Sequence, residues 1–169
     1  MGKSARTLGL AIAAVIFILD QLMKYIVTGP LGLTFEGQQI EILPFFDLTL
    51  VWNKGVSLGM LQAETPAMQW LLIALLAGIS LFVLRWLWKE TNRGDVVGLG
   101  LVLGGAMGNL IDRVRFGHVI DYADLHFGDF RPFLVFNVAD AAITIGVLIL
   151  LARALFTRDK SKQAETENA

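Results

Sequence analysis

Four long apolar stretches, separated by polar segments of very unequal length, organise this chain. A bilayer core needs roughly 20 mostly apolar helical residues. Leu8–Val27, Ala67–Trp88, Val96–Arg113 and Phe133–Phe156 approach that length and predict four transmembrane helices. Local punctuation supports their edges. Thr65-Pro66 puts a capping hydroxyl before a proline suited to the first helical turn. Asp95 is expected to cap the third helix and Pro132 to open the fourth, with Asn92-Arg-Gly-Asp95 as the turn between the second and third. No small-x-small cleavage pattern follows the first apolar run, so it reads as an uncleaved span rather than a removed leader.

The polar segments are uneven in a useful way. Residues 28–66 are too long for a mere connector. Within them Phe46–Asn53 partly alternates polar and apolar positions, as a half-buried strand does, and Gln39–Leu43 is a candidate partner strand. Gly55, Gly59, Leu58, Met60 and Leu61 suggest a mobile, lipid-touching segment that could gate a nearby site. Residues 116–131 read as a second loop, and 157–169 as a polar, disordered tail. The expected fold is an all-α membrane protein of one domain, 1–156, with a small extramembrane β-sheet on its outer face.

Composition agrees with the pattern. Of 169 residues, 55% are hydrophobic and 17% charged, with a mean hydropathy of +0.62. A soluble domain carries nearer a quarter charged residues. The absence of cysteine excludes disulfides and thiolate chemistry. No basic stripe points to nucleic acid. Lys3, Arg6, Arg85, Lys89, Arg93, Arg153, Arg158, Lys160 and Lys162 flank one set of helix ends, while both long loops are mostly acidic. By the positive-inside rule both termini are cytoplasmic and both loops lie outside.

Against this apolar background a few polar residues stand out. Asp140 lies inside the fourth stretch, about 10–12 Å past Pro132 if the helix starts there. An ionisable group within a span is costly and points to a functional site with a nearby partner. Asp121, in His118-Val-Ile-Asp121-Tyr, is the natural second carboxylate for sharing a proton. Asn137, Asp140 and Thr144 share one helical face; polar glue between helices is the alternative. Gly100, Gly104 and Gly108 recur at four-residue steps and predict close helix packing. Asn109, Asp112 and Arg113 follow, either as an interfacial helix end with a local ion pair or with Asn109 and Arg113 as an amide donor and a cation aimed at a developing oxyanion. Asp20 and Lys24 are spaced as a structural ion pair.

His118, Asp121, Asp124 and His126 are of metal-ligating types but lack a metal signature, so no metal is expected. Neither Ser57 nor Ser80 sits in a Gly-x-Ser-x-Gly elbow, which argues against a serine triad.

Gly104-Gly-Ala-Met-Gly-Asn-Leu-Ile-Asp-Arg113, Val119-Ile-Asp-Tyr122 and Phe136-Asn-Val-Ala-Asp-Ala-Ala-Ile143 resemble the motifs of signal peptidase II, the bacterial lipoprotein signal peptidase. Asp20-Gln-Leu-Met-Lys24 and Asn53-Lys-Gly-Val-Ser57 resemble two further blocks of that family. Met107 and Lys54 are mild departures that touch no motif aspartate. The resemblance implies an inner-membrane aspartyl endopeptidase without cofactors, working as a monomer near the outer face. It implies diacylglyceryl-modified prolipoproteins as substrates, contact with membrane lipids, and inhibition by globomycin. By matching motifs, Asp121 and Asp140 are the catalytic pair. Asn53, Asn109, Arg113 and Asn137 match substrate- or inhibitor-contacting positions, with Asp20, Lys24, Gly108 and Asp112 in support.

Two other readings compete. Prepilin- or presenilin-like aspartyl proteases carry Gly-x-Gly-Asp, which this chain lacks. A proton-coupled transporter using Asp140 as a relay predicts a midplane site and internal repeats, and no repeat is visible.

Overall fold

The computed structural model describes residues 2–55 and 65–167, with side chains for 4–55 and 65–156. In chain order it has α1 (Gly2–Thr28), β1 (Gln39–Leu43), β2 (Phe46–Asn53), α2 (Pro66–Lys89), α3 (Arg93–Phe116), β3 (Val119–Leu125) and α4 (Val138–Glu167). Four helices are long and apolar enough to cross a membrane. The expected segment Val56–Glu64, with Leu58, Met60, Leu61 and Ser57, lies outside the described residues.

α3 is the axis. Its most apolar window is 61% buried, against 17–22% for the other three helices. The glycines explain how it can be. A Cβ on Gly104 would stand 2.6 Å from the Ala13 carbonyl oxygen of α1. Small residues let two backbones approach where no hydrophobic drive separates protein from lipid. α1, α2 and α4 all pack on α3, whereas α2 and α4 share no substantial contact with each other. Ala13, Val83, Leu87, Leu99, Val102 and Leu103 form the core between the helices. Outward apolar residues such as Ile18, Leu81 and Leu148 remain exposed, as lipid-facing side chains do.

One end of the bundle carries a three-stranded antiparallel sheet ordered β1-β2-β3. β1 and β2 occupy the segments their alternation predicted. β3 replaces part of the expected second loop. Its sequence Val-Ile-Asp-Tyr-Ala-Asp-Leu is buried on both faces, so it shows no period-two pattern to read. Val27, Leu33, Leu48, Leu50, Ile120 and Tyr122 form a second core between this sheet and the end of α1.

Helix boundaries differ from expectation in three places. α3 is capped by Asn92, whose side chain accepts from Gly94 N–H; Asp95 lies in the first turn and pairs with Arg153 at 2.8 Å. α4 starts at Val138, not Phe133. Phe136 pairs instead with Ala123 of β3, its N–H donating to the Ala123 carbonyl at 3.0 Å, which holds the preceding chain extended. α4 also runs on to Glu167, where a tail without structure was expected. Lys, Gln, Ala and Glu are good helix formers and can carry a helix beyond an apolar span.

Candidate active site

The late start of α4 changes the place of Asp140. It lies in the first helical turn, at the sheet end, rather than two turns into a span. Asn137 precedes the helix and caps it: its Oδ1 accepts from Asp140 N–H at 2.9 Å. In return Asp140 Oδ2 accepts from Asn137 N–H at 3.2 Å. This is a reciprocal capping box with Asp in the usual Glu position. The box fixes the Asp140 rotamer through the helix start itself.

Asn137 also reaches the other aspartate. Its Nδ2 lies 2.7 Å from Asp121 Oδ1, 3.1 Å from Asn109 Oδ1 and 3.2 Å from the Ile120 carbonyl. Asn109 Nδ2 donates to Asp140 Oδ1 at 2.8 Å. Asn53, at the end of β2, donates to Asp121 Oδ2 at 2.9 Å. Asp121 is 1% exposed. Each carboxylate thus accepts from two neutral donors, and the two are joined through Asn137 and Asn109. Burial pushes the Asp121 carboxyl up to about 7, with the charge of Asp140 as the next cause; the Asn53 and Asn137 donors pull it down.

Behind this pair lies a second buried cluster. Lys24 Nζ sits 2.7 Å from Asp20 Oδ2 and 2.7 Å from Asp112 Oδ2. Asp112 therefore pairs across helices with Lys24, not locally with Arg113. Gln21, which sequence reasoning did not single out, donates to Asp112 Oδ1 at 2.9 Å and lies 3.2 Å from Asp20 Oδ2. Asp20 Oδ1 accepts from Ala139 N–H of α4 at 3.0 Å. Asp112 Oδ2 accepts from Ile120 N–H at 3.3 Å. This cluster ties α1 and α3 to the two segments that carry Asp121 and Asp140. Gly108 is required here, since a Cβ would stand 2.5 Å from Asp20 Oδ2. Lys24 also donates to Asn109 Oδ1 at 3.2 Å, which turns the Asn109 amide nitrogen toward Asp140.

Arg113 lines the cleft. Its Nη2 donates to the Gly55 carbonyl at 2.7 Å, with Nη1 3.5 Å from the Asn53 carbonyl. Its buried Nε has no partner among the described residues. Asn53, Gly55, Asn109, Arg113 and Asp140, with Leu72 and Leu75 of α2, enclose a cavity of about 200 Å³.

The remaining candidates fall elsewhere. Asp124 accepts from Thr49 Oγ1 at 3.1 Å and Arg131 Nε at 3.1 Å. His126 Nε2 stands 2.7 Å from Asp47 Oδ2. The His118 ring lies 5.3 Å from that of Trp52 and 6.1 Å from that of Phe116, and burial pushes its pKa down. The four possible metal ligands are therefore engaged separately. Ser80 donates to the Leu76 carbonyl at 2.8 Å, the bond of a helical serine turned on its own backbone. Thr144 lies one turn beyond Asp140, on an apolar groove rather than in the hydrogen-bonded site.

Comparison with known proteins gives a consistent set of matches. The family model described as Signal peptidase (SPase) II matches residues 12–156. A lipoprotein signal peptidase of Sphingopyxis alaskensis is 54% identical over 94% of this chain and 91% of its own length. One of Rhizorhabdus wittichii is 53% identical over 97% and 95%. A solved bacterial membrane enzyme superposes with a TM-score of 0.78 at 29% identity, over 92% of this chain and 91% of that one.

Proposed function

The chain belongs to the signal peptidase II family, and from that premise we propose how it works: Asp121 and Asp140 activate a water that cleaves the signal peptide from a diacylglyceryl-modified prolipoprotein. The observation that carries this reading is the asparagine bridge between buried Asp121 and half-buried Asp140, with no cation in contact with either among the described residues. Around them, among the described residues, Asp20, Asp112, Asp121 and Asp140 face Lys24 and Arg113 as cations. Four negative charges against two positive ones favour keeping one proton on the dyad.

With one proton between them, the two carboxyl groups divide the work. The ionised one takes a proton from water as the oxygen attacks the peptide carbonyl. The protonated one donates to the carbonyl oxygen, and in the next step a proton passes to the leaving amine. Asn53, Asn109 and Asn137 hold the carboxylates, so little reorganisation accompanies the reaction. The spare Nε of Arg113 is a donor for a substrate carbonyl in the cavity. No cofactor enters this scheme. A monomer is proposed as the working unit. Globomycin is proposed to occupy the same cavity and contact Asn53 and Arg113.

Lys and Arg positions support an orientation with both termini cytoplasmic and the sheet end at the outer face of the bacterial inner membrane. There the lipid on the substrate stays in the bilayer while the cleaved bond meets water. The proton-relay reading expects a midplane site, whereas Asp140 is in the first turn of α4.

The test uses purified protein, a lipidated prolipoprotein and its unlipidated form. Mass spectrometry reads the released signal peptide. Cleavage of the lipidated form alone, abolished in Asp121→Asn and in Asp140→Asn, is expected. Undiminished cleavage by either variant would remove the dyad from the mechanism.

A further inference from the structure

Asp140 stands where two clefts meet, one with polar groups facing an aliphatic wall of α2 and the other almost wholly apolar. One is the cavity whose rim carries Asn53, Asn109 and Arg113. The other is a groove of about 310 Å³ along the flank of α4, lined by Phe133, Leu134, Phe136, Ala141, Thr144 and Ile145, with Asp140 at its end. Thr144 is its one polar side chain besides Asp140. The groove exists because α4 starts late. Pinning Phe136 to Ala123 makes the preceding chain cross the helix flank instead of joining the helix. Phe133 and Leu134 are each 61% exposed and Ile145 52%, beside residues that face lipid further along α4.

We propose that this groove takes an acyl chain of the lipid carried by the substrate, while the cavity beside α2 and α3 takes the peptide. The inference rests on the function proposed above and adds a division of the substrate at Asp140. The chemistry separates the two occupants. A polypeptide backbone in an apolar setting needs partners for its N–H and C=O groups. The cavity offers them in Asn53, Asn109 and Arg113; the groove offers almost none. A hydrocarbon chain needs none. The groove is also continuous with the lipid-facing flank of α4, so a chain enters it sideways from the bilayer without crossing water.

Lipid tails are as apolar as this groove, so filling it adds little binding. Its contribution is placement. An acyl chain seated against Phe133 and Ile145 holds the adjoining residue, and hence the bond to be cleaved, in register with Asp140. Misplacement by about 1 Å can cost on the order of a hundredfold in rate.

The experiment uses full-length protein in nanodiscs. A peptide spanning the cleavage site carries acyl chains with a terminal diazirine on its lipidated residue, and Asp121→Asn protein holds it uncleaved. After irradiation, adducts are mapped by mass spectrometry. They are expected on Phe133, Leu134, Thr144 and Ile145, above the even labelling of exposed residues such as Ile18 and Leu22 given by a phospholipid with the same diazirine. Thr144→Trp should displace those adducts and lower kcat about tenfold or more, while Ile18→Trp changes neither. Adducts on Leu72, Leu75 or Ile79, or a pattern equal to that of the phospholipid, would overturn the assignment. Cleavage of the unlabelled lipidated peptide by the wild-type protein decides the underlying function separately. If the wild type cleaves and the adducts lie elsewhere, only the groove assignment fails; if it does not cleave, both fail.

Discussion

Two clusters of carboxylates lie back to back in this molecule, and they differ in what stands beside them. Asp20 and Asp112 each touch Lys24 at 2.7 Å and fill their remaining acceptor positions with Gln21 and backbone N–H groups. Among the described residues, Asp121 and Asp140 accept from asparagines and a backbone N–H, and Asp140 opens onto the cavity. A cation in contact offsets the cost of burying a carboxylate's charge. Neutral donors orient a carboxylate and leave it able to take a proton. The first cluster is thereby suited to holding helices in register, the second to moving protons. Burial alone does not separate them, since Asp20, Asp112 and Asp121 are all at most 1% exposed.

The strongest break of this contrast is to neutralise a dyad member. Asp121→Asn and Asp140→Asn should each lower kcat by about 10⁴-fold or more, because a pair that acts as a unit fails when either part is lost. Melting temperatures in detergent should not fall below wild type. The opposite pattern is expected from the other cluster. Lys24→Met strands two buried charges, a loss of about 3–5 kcal/mol. Thermal unfolding should show a large drop, partly restored by adding Asp112→Asn. Full stability with loss of activity would place Lys24 in the dyad's chemistry and dissolve the distinction.

A finer test asks how stability depends on pH. Asp121 is raised to about 7 when folded, well above the ordinary carboxylate range. A raised carboxyl binds its proton more tightly in the folded state. Its contribution to stability is complete below about pH 4 and is lost as pH rises to about 7. Wild type should therefore lose ground to Asp121→Asn across this window, by at most about 1.4 kcal/mol per pH unit. Parallel curves for the two proteins would mean that Asp121 is ionised throughout.

How much of this was legible in the sequence depends on the kind of signal. Long apolar runs and Thr65-Pro66 located the helices, and alternation located β1 and β2, because each follows from local chemistry. β3 and the start of α4 did not show. Val119–Leu125 is buried on both faces, and Phe133–Val135 is as apolar as the helix it precedes. Only the pairing of Phe136 with Ala123, a long-range fact, decides where the helix begins. Asp121, Asp140, Asn109 and Asn137 were marked by polarity in apolar surroundings and by resemblance, Asn53 by resemblance alone, and the fold brings them together. The partners of Asp112 and the part played by Gln21 were hidden, since nothing local distinguishes an ion pair within α3 from one across to α1.

Asp124 tests whether nearness to the dyad along the chain matters. It shares β3 with Asp121, yet its partners are Thr49 and the half-exposed Arg131. Asp124→Asn should cost about 1 kcal/mol of stability and leave kcat within roughly threefold of wild type. Turnover assays on both variants side by side check this. An equal, complete loss for Asp124→Asn and Asp121→Asn would make the acidic strand as a whole, rather than one residue, the site.

The smallest expected effect is also the most specific to the dyad. Asn53 donates to Asp121 Oδ2 at 2.9 Å and is one of the groups that pull its pKa down. If the pair works with one proton, activity fails on the alkaline side as that proton leaves, near pH 7. Asn53→Ala removes a donor to the ionised carboxylate, so the proton is held more tightly and the alkaline limb of kcat/KM moves to higher pH. Asn53 Oδ1 also accepts from Gly55 N–H at 3.2 Å, so the chain gripped by Arg113 loosens and KM rises with it. Asn53→Asp puts a like charge in the same place and should move the limb in the same direction and further. A residue that merely braced the strand end would lower the rate equally at every pH. A limb that stays in place in both variants would therefore make Asn53 a brace and leave the tuning of Asp121 to burial and Asp140.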